Sequence, residues 1–210
     1  MPIICFEGAS AVGKTTTAEN LKAKCNVFVV PEVNQLFNRP ENESAEWYFE
    51  RQVERFAIAQ EQSQSHRFVI LDGDPFQPLW YAWAYNFVGR QNLDFIERFY
   101  KAEINNQTLG FPDLYFVFGA SEVELRNRRA KDSSRQRRNF EIHLQMIEPQ
   151  IRYFRAMQEF SPHRVCFLEA ESIESNVKFV CERVLTLNNG APKSQVLFDK
   201  IVQWSRENKA

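Results

Sequence analysis

Residues 3–16 read Ile3-Ile4-Cys5-Phe6-Glu7-Gly8-Ala9-Ser10-Ala11-Val12-Gly13-Lys14-Thr15-Thr16, and this stretch decides the fold. An apolar run with the length and residue types of a buried strand leads straight into a full match to the phosphate-binding pattern GxxxxGK[ST]. Each fixed position has a mechanical task. Gly8 and Gly13 allow backbone angles that a side chain forbids, so that successive N–H groups point at phosphate oxygens. Lys14 brings a cation to the β- and γ-phosphates, and the Thr15 hydroxyl is a natural Mg²⁺ ligand. A helix starting at Lys14 directs the positive end of its dipole at the same anion. Gly8, Ala9, Ser10, Ala11, Val12, Gly13, Lys14, Thr15 and Thr16 are therefore expected to hold a nucleoside triphosphate with Mg²⁺; ATP is the expected nucleotide, and the loop itself leaves ATP against GTP open.

Working outward, four further β-type runs follow at Val27–Val30, Phe68–Asp72, Leu114–Phe118 and Val165–Glu169. Helical stretches separate them, which predicts a five-stranded parallel sheet with helices on both faces. In such sheets ligands bind at the carboxyl ends of the strands. The residues just after each run are thus the candidates: the loop from Gly8, Glu32, Asp72 to Asp74, and Gly119 onward.

Phe68-Val69-Ile70-Leu71-Asp72 has the form of a Walker B strand, and Asp72 is expected to share the metal with Thr15. Glu32 leaves the second strand facing the crevice where a phosphate acceptor would lie, in a position to take a proton from its hydroxyl. Asp74 emerges beside Asp72 and is the alternative base. Between Arg126 and Arg138 lie seven cations, interrupted by Asp132-Ser133-Ser134. The small polar break predicts a lid over about 126–138, closing arginines over the charge of the transferred group. Arg128, Arg135 and Arg138 are the candidates for that task.

The chain resembles the P-loop kinases of small molecules, the group containing thymidylate kinases and deoxynucleoside kinases. Phe6-Glu7-Gly8 running into Gly13-Lys14-Thr15-Thr16 is similar to the start of both, and the arginine-rich segment falls where their lid does. The resemblance covers roughly residues 1–169 and implies a P-loop NTPase fold and phosphoryl transfer from ATP. Glu32 falls where deoxynucleoside kinases carry their general base. Trp47-Tyr48-Phe49-Glu50-Arg51-Gln52 resembles the helix in which that family sets an aromatic residue and a glutamine against the nucleobase. By that likeness Gln52 pairs with a base or amide edge, and Trp47 or Phe49 stacks on a ring; as plain patterning, the same residues make a core stripe. The chain departs from the family where an arginine usually follows the third-strand acid, because it has Asp72-Gly73-Asp74.

The aromatic-rich run Pro75 to Tyr85 opens a second alternative. With Phe76 at its head it walls an acceptor pocket for an apolar or aromatic molecule, as in chloramphenicol-phosphorylating enzymes, or it packs as core through Trp80, Trp83 and Phe87. The reading favoured is an ATP-dependent phosphotransferase with a nucleoside-like acceptor. An antibiotic phosphotransferase, a nucleoside monophosphate kinase and a non-catalytic nucleotide-binding switch are the alternatives. No Asn-Lys-x-Asp guanine signature is present.

Composition sets the remaining bounds. The 210 residues suffice for one domain, and 19 Phe with four Trp make its core aromatic. A net charge of -1 gives no pull toward nucleic acid or membrane. No apolar run reaches the roughly 20 residues of a membrane span. Four cysteines without CxxC pairing read as reduced packing residues, and the cytoplasm is the expected compartment. Residues 195–208 are expected to form a C-terminal helix packed by Val196, Phe198, Ile201, Val202 and Trp204. The helix near Trp80 is a possible homodimer contact.

Overall fold

The computed structural model describes residues 1–86, 92–132, 140–187 and 194–210. The chain runs β1 (Ile3–Gly8), α1 (Lys14–Lys24), β2 (Val27–Val30), α2 (Val33–Leu36), α3 (Trp47–Gln62), β3 (Phe68–Asp72), α4 (Gln77–Ala84) and α5 (Leu93–Asn105). It continues through β4 (Leu114–Gly119), α6 (Glu122–Lys131), α7 (Phe140–Gln145), α8 (Ile147–Phe160), β5 (Val165–Glu169), α9 (Ile173–Leu185) and α10 (Ser194–Glu207). The strands form one parallel sheet in the order β2-β3-β1-β4-β5. Ile3 to Phe6 pair with Val69 to Asp72 on one side of β1, and Ile4 to Gly8 pair with Leu114 to Phe118 on the other.

Parallel strands covered on both faces are apolar along their whole length, because each side chain enters one core or the other. Ile3 and Cys5 join Leu71, Tyr115 and Val117 in a core under α3, α4, α5, α8 and α10. Ile4 and Phe6 join Ile70, Leu114 and Phe116 in a second core under α1 and α9. The first core consumes most of the large aromatics, among them Phe49, Trp80, Trp83, Tyr100 and Phe198.

The C-terminal helix forms where the sequence places it, but its buried stripe is Leu197, Phe198, Ile201 and Val202, whereas Val196 is exposed. A residue before Leu197 falls about 100° around the helix from it, so the two cannot both face the core. Among the described residues, no helix is long and apolar enough to cross a membrane. The expected lid segment is α6 as far as Lys131; Arg135 and Arg138 lie outside the described residues.

Candidate active site

The loop between β1 and α1 is shaped by three residues with positive φ: Gly8 at 136°, Ala11 at 69° and Gly13 at 106°. At Gly8 the requirement is also one of space. A Cβ there would stand 2.4 Å from the Phe118 carbonyl oxygen, which belongs to the backbone of the neighbouring strand and cannot move aside. Gly13 caps α1 without a side-chain hydrogen bond to the helix's first turn, which leaves those N–H groups open to the cleft. The Lys14 ammonium lies back on the loop, donating to the Gly8 carbonyl at 2.6 Å.

Sheet order places everything else. β3 and β2 lie on one side of β1, β4 and β5 on the other, so the loops after each strand line opposite ends of a single cleft of about 1290 Å³. Toward β2 and β3 stand Glu32, Tyr48, Phe49, Gly73, Gln77 and Tyr81. Toward β5 stand Arg128, Ser172, Ile173 and Asn176. The phosphate loop lies between, as a donor and an acceptor of one phosphoryl group require.

Thr15 Oγ1 donates to Asp72 Oδ2 at 3.0 Å. The other carboxylate oxygen, Asp72 Oδ1, is buried and has no protein partner. A buried acceptor without a donor carries a desolvation cost, which a cation removes. The pair therefore fits Mg²⁺: two oxygen ligands at the phosphate loop suit an ion that keeps several waters and takes its other ligands from phosphate.

Glu32 follows β2, exposed on the cleft wall, and its Cγ lies 4.0 Å from where a Cβ on Gly73 would stand. Gly73 has φ 94°, a conformation that an arginine would adopt only under strain. The departure from the acid-arginine pair is thus a different loop geometry. A guanidinium does reach the end of β3, but from α3. Buried Arg55 donates to the carbonyls of Pro31, Asp72 and Gly73 and to Gln52 Oε1. Its role is to tie the ends of β2 and β3 together.

Glu7, to which the sequence reading gave no chemical role, lies in the cleft floor at 3 % exposure. It accepts from the Asp74 N–H and from Gln150 Nε2, each at 2.7 Å. Burial pushes its carboxyl up to about 7, against the opposing pull of Lys14. Its signal was the carboxylate at the last position of the strand before the first loop glycine. Tyr48 and Gln77 were also passed over. Their side chains hydrogen-bond at 2.7 Å, linking α3 to α4 across the β2–β3 end of the cleft.

Five assignments need correction. Asp74 is fully buried and turned away from the cleft, its Oδ1 accepting from Tyr115 Oη and the Phe76 N–H. Burial, with Glu7 adding to it, pushes Asp74 up to about 8. Phe76 is core: its ring stacks on Phe111 at 4.1 Å between centroids. Trp47 packs beside Tyr48 and under the Arg51 guanidinium, off the cleft wall. Gln52 is fully buried and bound to Arg55. Arg128 spends its donors on Glu124 and on the carbonyls of Val12 and Ala170, which braces the phosphate loop against the end of β5 and leaves no free charge to close over phosphate. Asp74, Phe76, Trp47 and Gln52 are turned into the protein, whereas Arg128 lines the cleft with its donors already engaged. Of the substrate candidates, Phe49 alone lines the cleft. The aromatic run is divided: Trp80 and Trp83 are core, while Tyr81 and Tyr85 on the other face of α4 wall the cleft.

Residues 3–154, from β1 through most of α8, match the AAA domain family. The chain belongs to that family. No curated protein matches the sequence significantly. Among solved structures it is similar to thymidylate kinase from Candida albicans, with a TM-score of 0.58 and 15% identity, covering 91% of this chain and 96% of that one. Deoxyadenosine kinase from M. mycoides with bound dATP is similar at a TM-score of 0.54 and 14% identity, covering 88% and 100%. Thymidylate kinase from Ehrlichia chaffeensis gives 0.53 and 18%, covering 86% and 97%. These likenesses show that the fold is the P-loop NTPase fold expected from the sequence.

Proposed function

We propose that the protein is a P-loop kinase that transfers the γ-phosphoryl group of ATP to a hydroxyl of a small, nucleoside-like molecule. The observation that carries this reading is the placement of Glu32. This exposed carboxylate lines the half of the cleft opposite the Arg128 end, across a phosphate loop where Lys14 donates to the Gly8 carbonyl and Thr15 to Asp72, which supports the reading. A nucleotide switch needs no base on that side. The structural likeness to thymidylate and deoxyadenosine kinases supports the same class.

In this mechanism the loop N–H groups and the α1 N-terminus hold the β-phosphate, and Lys14 exchanges its Gly8 carbonyl for a phosphate oxygen. Thr15 and Asp72 would hold Mg²⁺, which when bound neutralises charge on the β- and γ-phosphates. Glu32 orients the acceptor hydroxyl and takes its proton as the oxygen attacks phosphorus. Phe49 and Tyr81 give the acceptor ring an apolar seat, held at fixed width by the Tyr48–Gln77 bond. The test is ADP release from ATP and Mg²⁺ over a panel of nucleosides, nucleoside monophosphates and hydroxylated antibiotics. Acceptor-stimulated release, with the phosphorylated product seen by mass spectrometry, is expected; ATP binding without stimulation by any acceptor would refute the reading.

A further inference from the structure

The charges lining the cleft are unbalanced in a way that bears on what enters it. Among the described residues, seven carboxylates line it against three lysines or arginines: Lys14, Arg39 and Arg128. Arg128 is held at the far end by Val12 and Ala170. Lys14 sits on the phosphate loop, where the donor's phosphates claim it. That leaves Arg39 for the acceptor half, and Arg39 is engaged two-pronged by Glu43, with Nε to Oε2 at 2.7 Å.

The acceptor half is correspondingly acidic. Glu7, Glu32 and Glu43 all face it. The position after Asp72, from which a cation would project beside Glu32, is Gly73 with φ 94°, and a longer residue there would be strained. Arg55, on α3 with Tyr48 and Phe49, is buried beneath the cleft, its guanidinium already donating to three carbonyls and Gln52. A phosphate ester entering this half would add two negative charges beside Glu32 and Glu43, with no described lysine or arginine free to meet it. In a partly desolvated cleft such a group is rejected, whereas a neutral ring with hydroxyls meets only the aromatic walls and the Glu32 acceptor.

We infer that the acceptor is a hydroxyl compound carrying no phosphate, so that this enzyme adds the first phosphate to its substrate and does not extend an existing monophosphate. The inference rests on the kinase reading above and deepens it. It also places the protein in sequence: its product is a phosphate monoester, which the reaction that uses it must bind through cations that the described residues of this acceptor half do not offer.

The experiment is a comparison of matched pairs, each compound with and without its phosphate ester, beginning with nucleosides and their 5′-monophosphates and extending to other ring-bearing alcohols. ADP release is measured with saturating ATP and Mg²⁺. The phosphate-free member is expected to exceed its monophosphate by at least ten-fold in kcat/KM. Equal or better use of the monophosphate overturns the inference while leaving ATP-dependent phosphoryl transfer in place, with a phosphate oxygen as the acceptor. Silence from every pair, in protein shown by calorimetry to bind ATP, overturns the kinase reading and the inference with it. A second variant tests the cause. Glu43→Gln releases Arg39 and is expected to narrow the preference at least three-fold; a preference that does not move removes the Arg39–Glu43 pair from the explanation.

Discussion

Asp72→Asn separates the chemistry of the phosphate loop from its architecture. Asp72 is 2 % exposed, and the structure gives its two oxygens unequal lives. Oδ2 accepts from Thr15 Oγ1 at 3.0 Å, and Oδ1 has no protein partner. An amide of the same shape keeps an acceptor for Thr15 but removes the charge. Two unit charges about 4 Å apart at an effective dielectric constant of about 20 interact by about 4 kcal/mol. Phosphate and water around a divalent ion offset much of that, so the loss at the transition state is about 2–3 kcal/mol, or roughly 30- to 150-fold in turnover. The fold moves in the other direction. Removing a buried carboxylate that lacks one partner relieves a desolvation cost, while the nearby Arg55 guanidinium loses an attraction. The two oppose, and unfolding free energy without nucleotide changes by less than about 1 kcal/mol. The assay is ADP release across a series of Mg²⁺ concentrations, paired with chemical denaturation of the nucleotide-free protein. Unchanged turnover and Mg²⁺ dependence would refute the metal assignment. A loss of stability in step with the loss of activity would show that Asp72 is structural.

Four further outcomes are expected. Lys14→Ala should lower turnover by roughly 10³-fold, because a charge partner of the transition state is worth several kcal/mol; wild-type turnover would sink the site assignment. Glu32→Gln, on an exposed side chain, should slow the chemical step far more than it weakens ATP binding, as single-turnover kinetics and calorimetry would show; equal loss of both would make Glu32 structural. Gly8→Ala forces a Cβ to within 2.4 Å of the Phe118 carbonyl at φ 136° and should cost about 2–4 kcal/mol in denaturant unfolding, with an unchanged midpoint counting against the packing argument. Stability should also fall with rising pH. Burial raises Asp74 to about 8 and Glu7 to about 7, both well above their unfolded values, so the folded state holds protons that the unfolded state has released. The contribution is complete below about pH 4 and is lost as pH climbs through 7 to 8. Asp74→Asn, neutral throughout and still able to accept from Tyr115, should flatten that slope between pH 6 and 8.5; a wild-type stability that rises with pH would contradict it.

How much of this was legible beforehand depends on the range of the interaction that fixes each residue. The phosphate loop was readable because its function is local: Gly8, Gly13, Lys14 and Thr15 act through their own backbone angles and the helix that begins beside them. The five strands were readable for a similar reason, since a strand covered on both faces is apolar throughout, and their observed bounds differ from the expected ones only by Gly8 and Gly119. The acceptor side was less readable. Its candidates came from spacing along α3 and the run after β3, and spacing fixes which residues share a face without fixing which way that face points. Phe76, Gln52 and Trp47 share their registers with core residues, and only the packing of α3 and α4 against α5 and the sheet turned them inward while Phe49, Tyr81 and Tyr85 line the cleft.

The sequence by itself determined the nucleotide end of this protein: a strand, a phosphate loop, a helix and a strand ending in Asp72, each specified by residues within a few positions of one another. The tertiary structure alone decided the acceptor end. It buried Asp74 against Tyr115, 41 positions away, and hung Glu7 between Asp74 and Gln150, 143 positions apart from its amide partner. It also brought Arg55 from α3 to the end of β3, where the kinases that the chain resembles carry an arginine beside the third-strand acid. The physical reason is that a phosphate is recognised by backbone, whose conformation is local, whereas a small organic acceptor is recognised by side chains that only the closing of the sheet brings together.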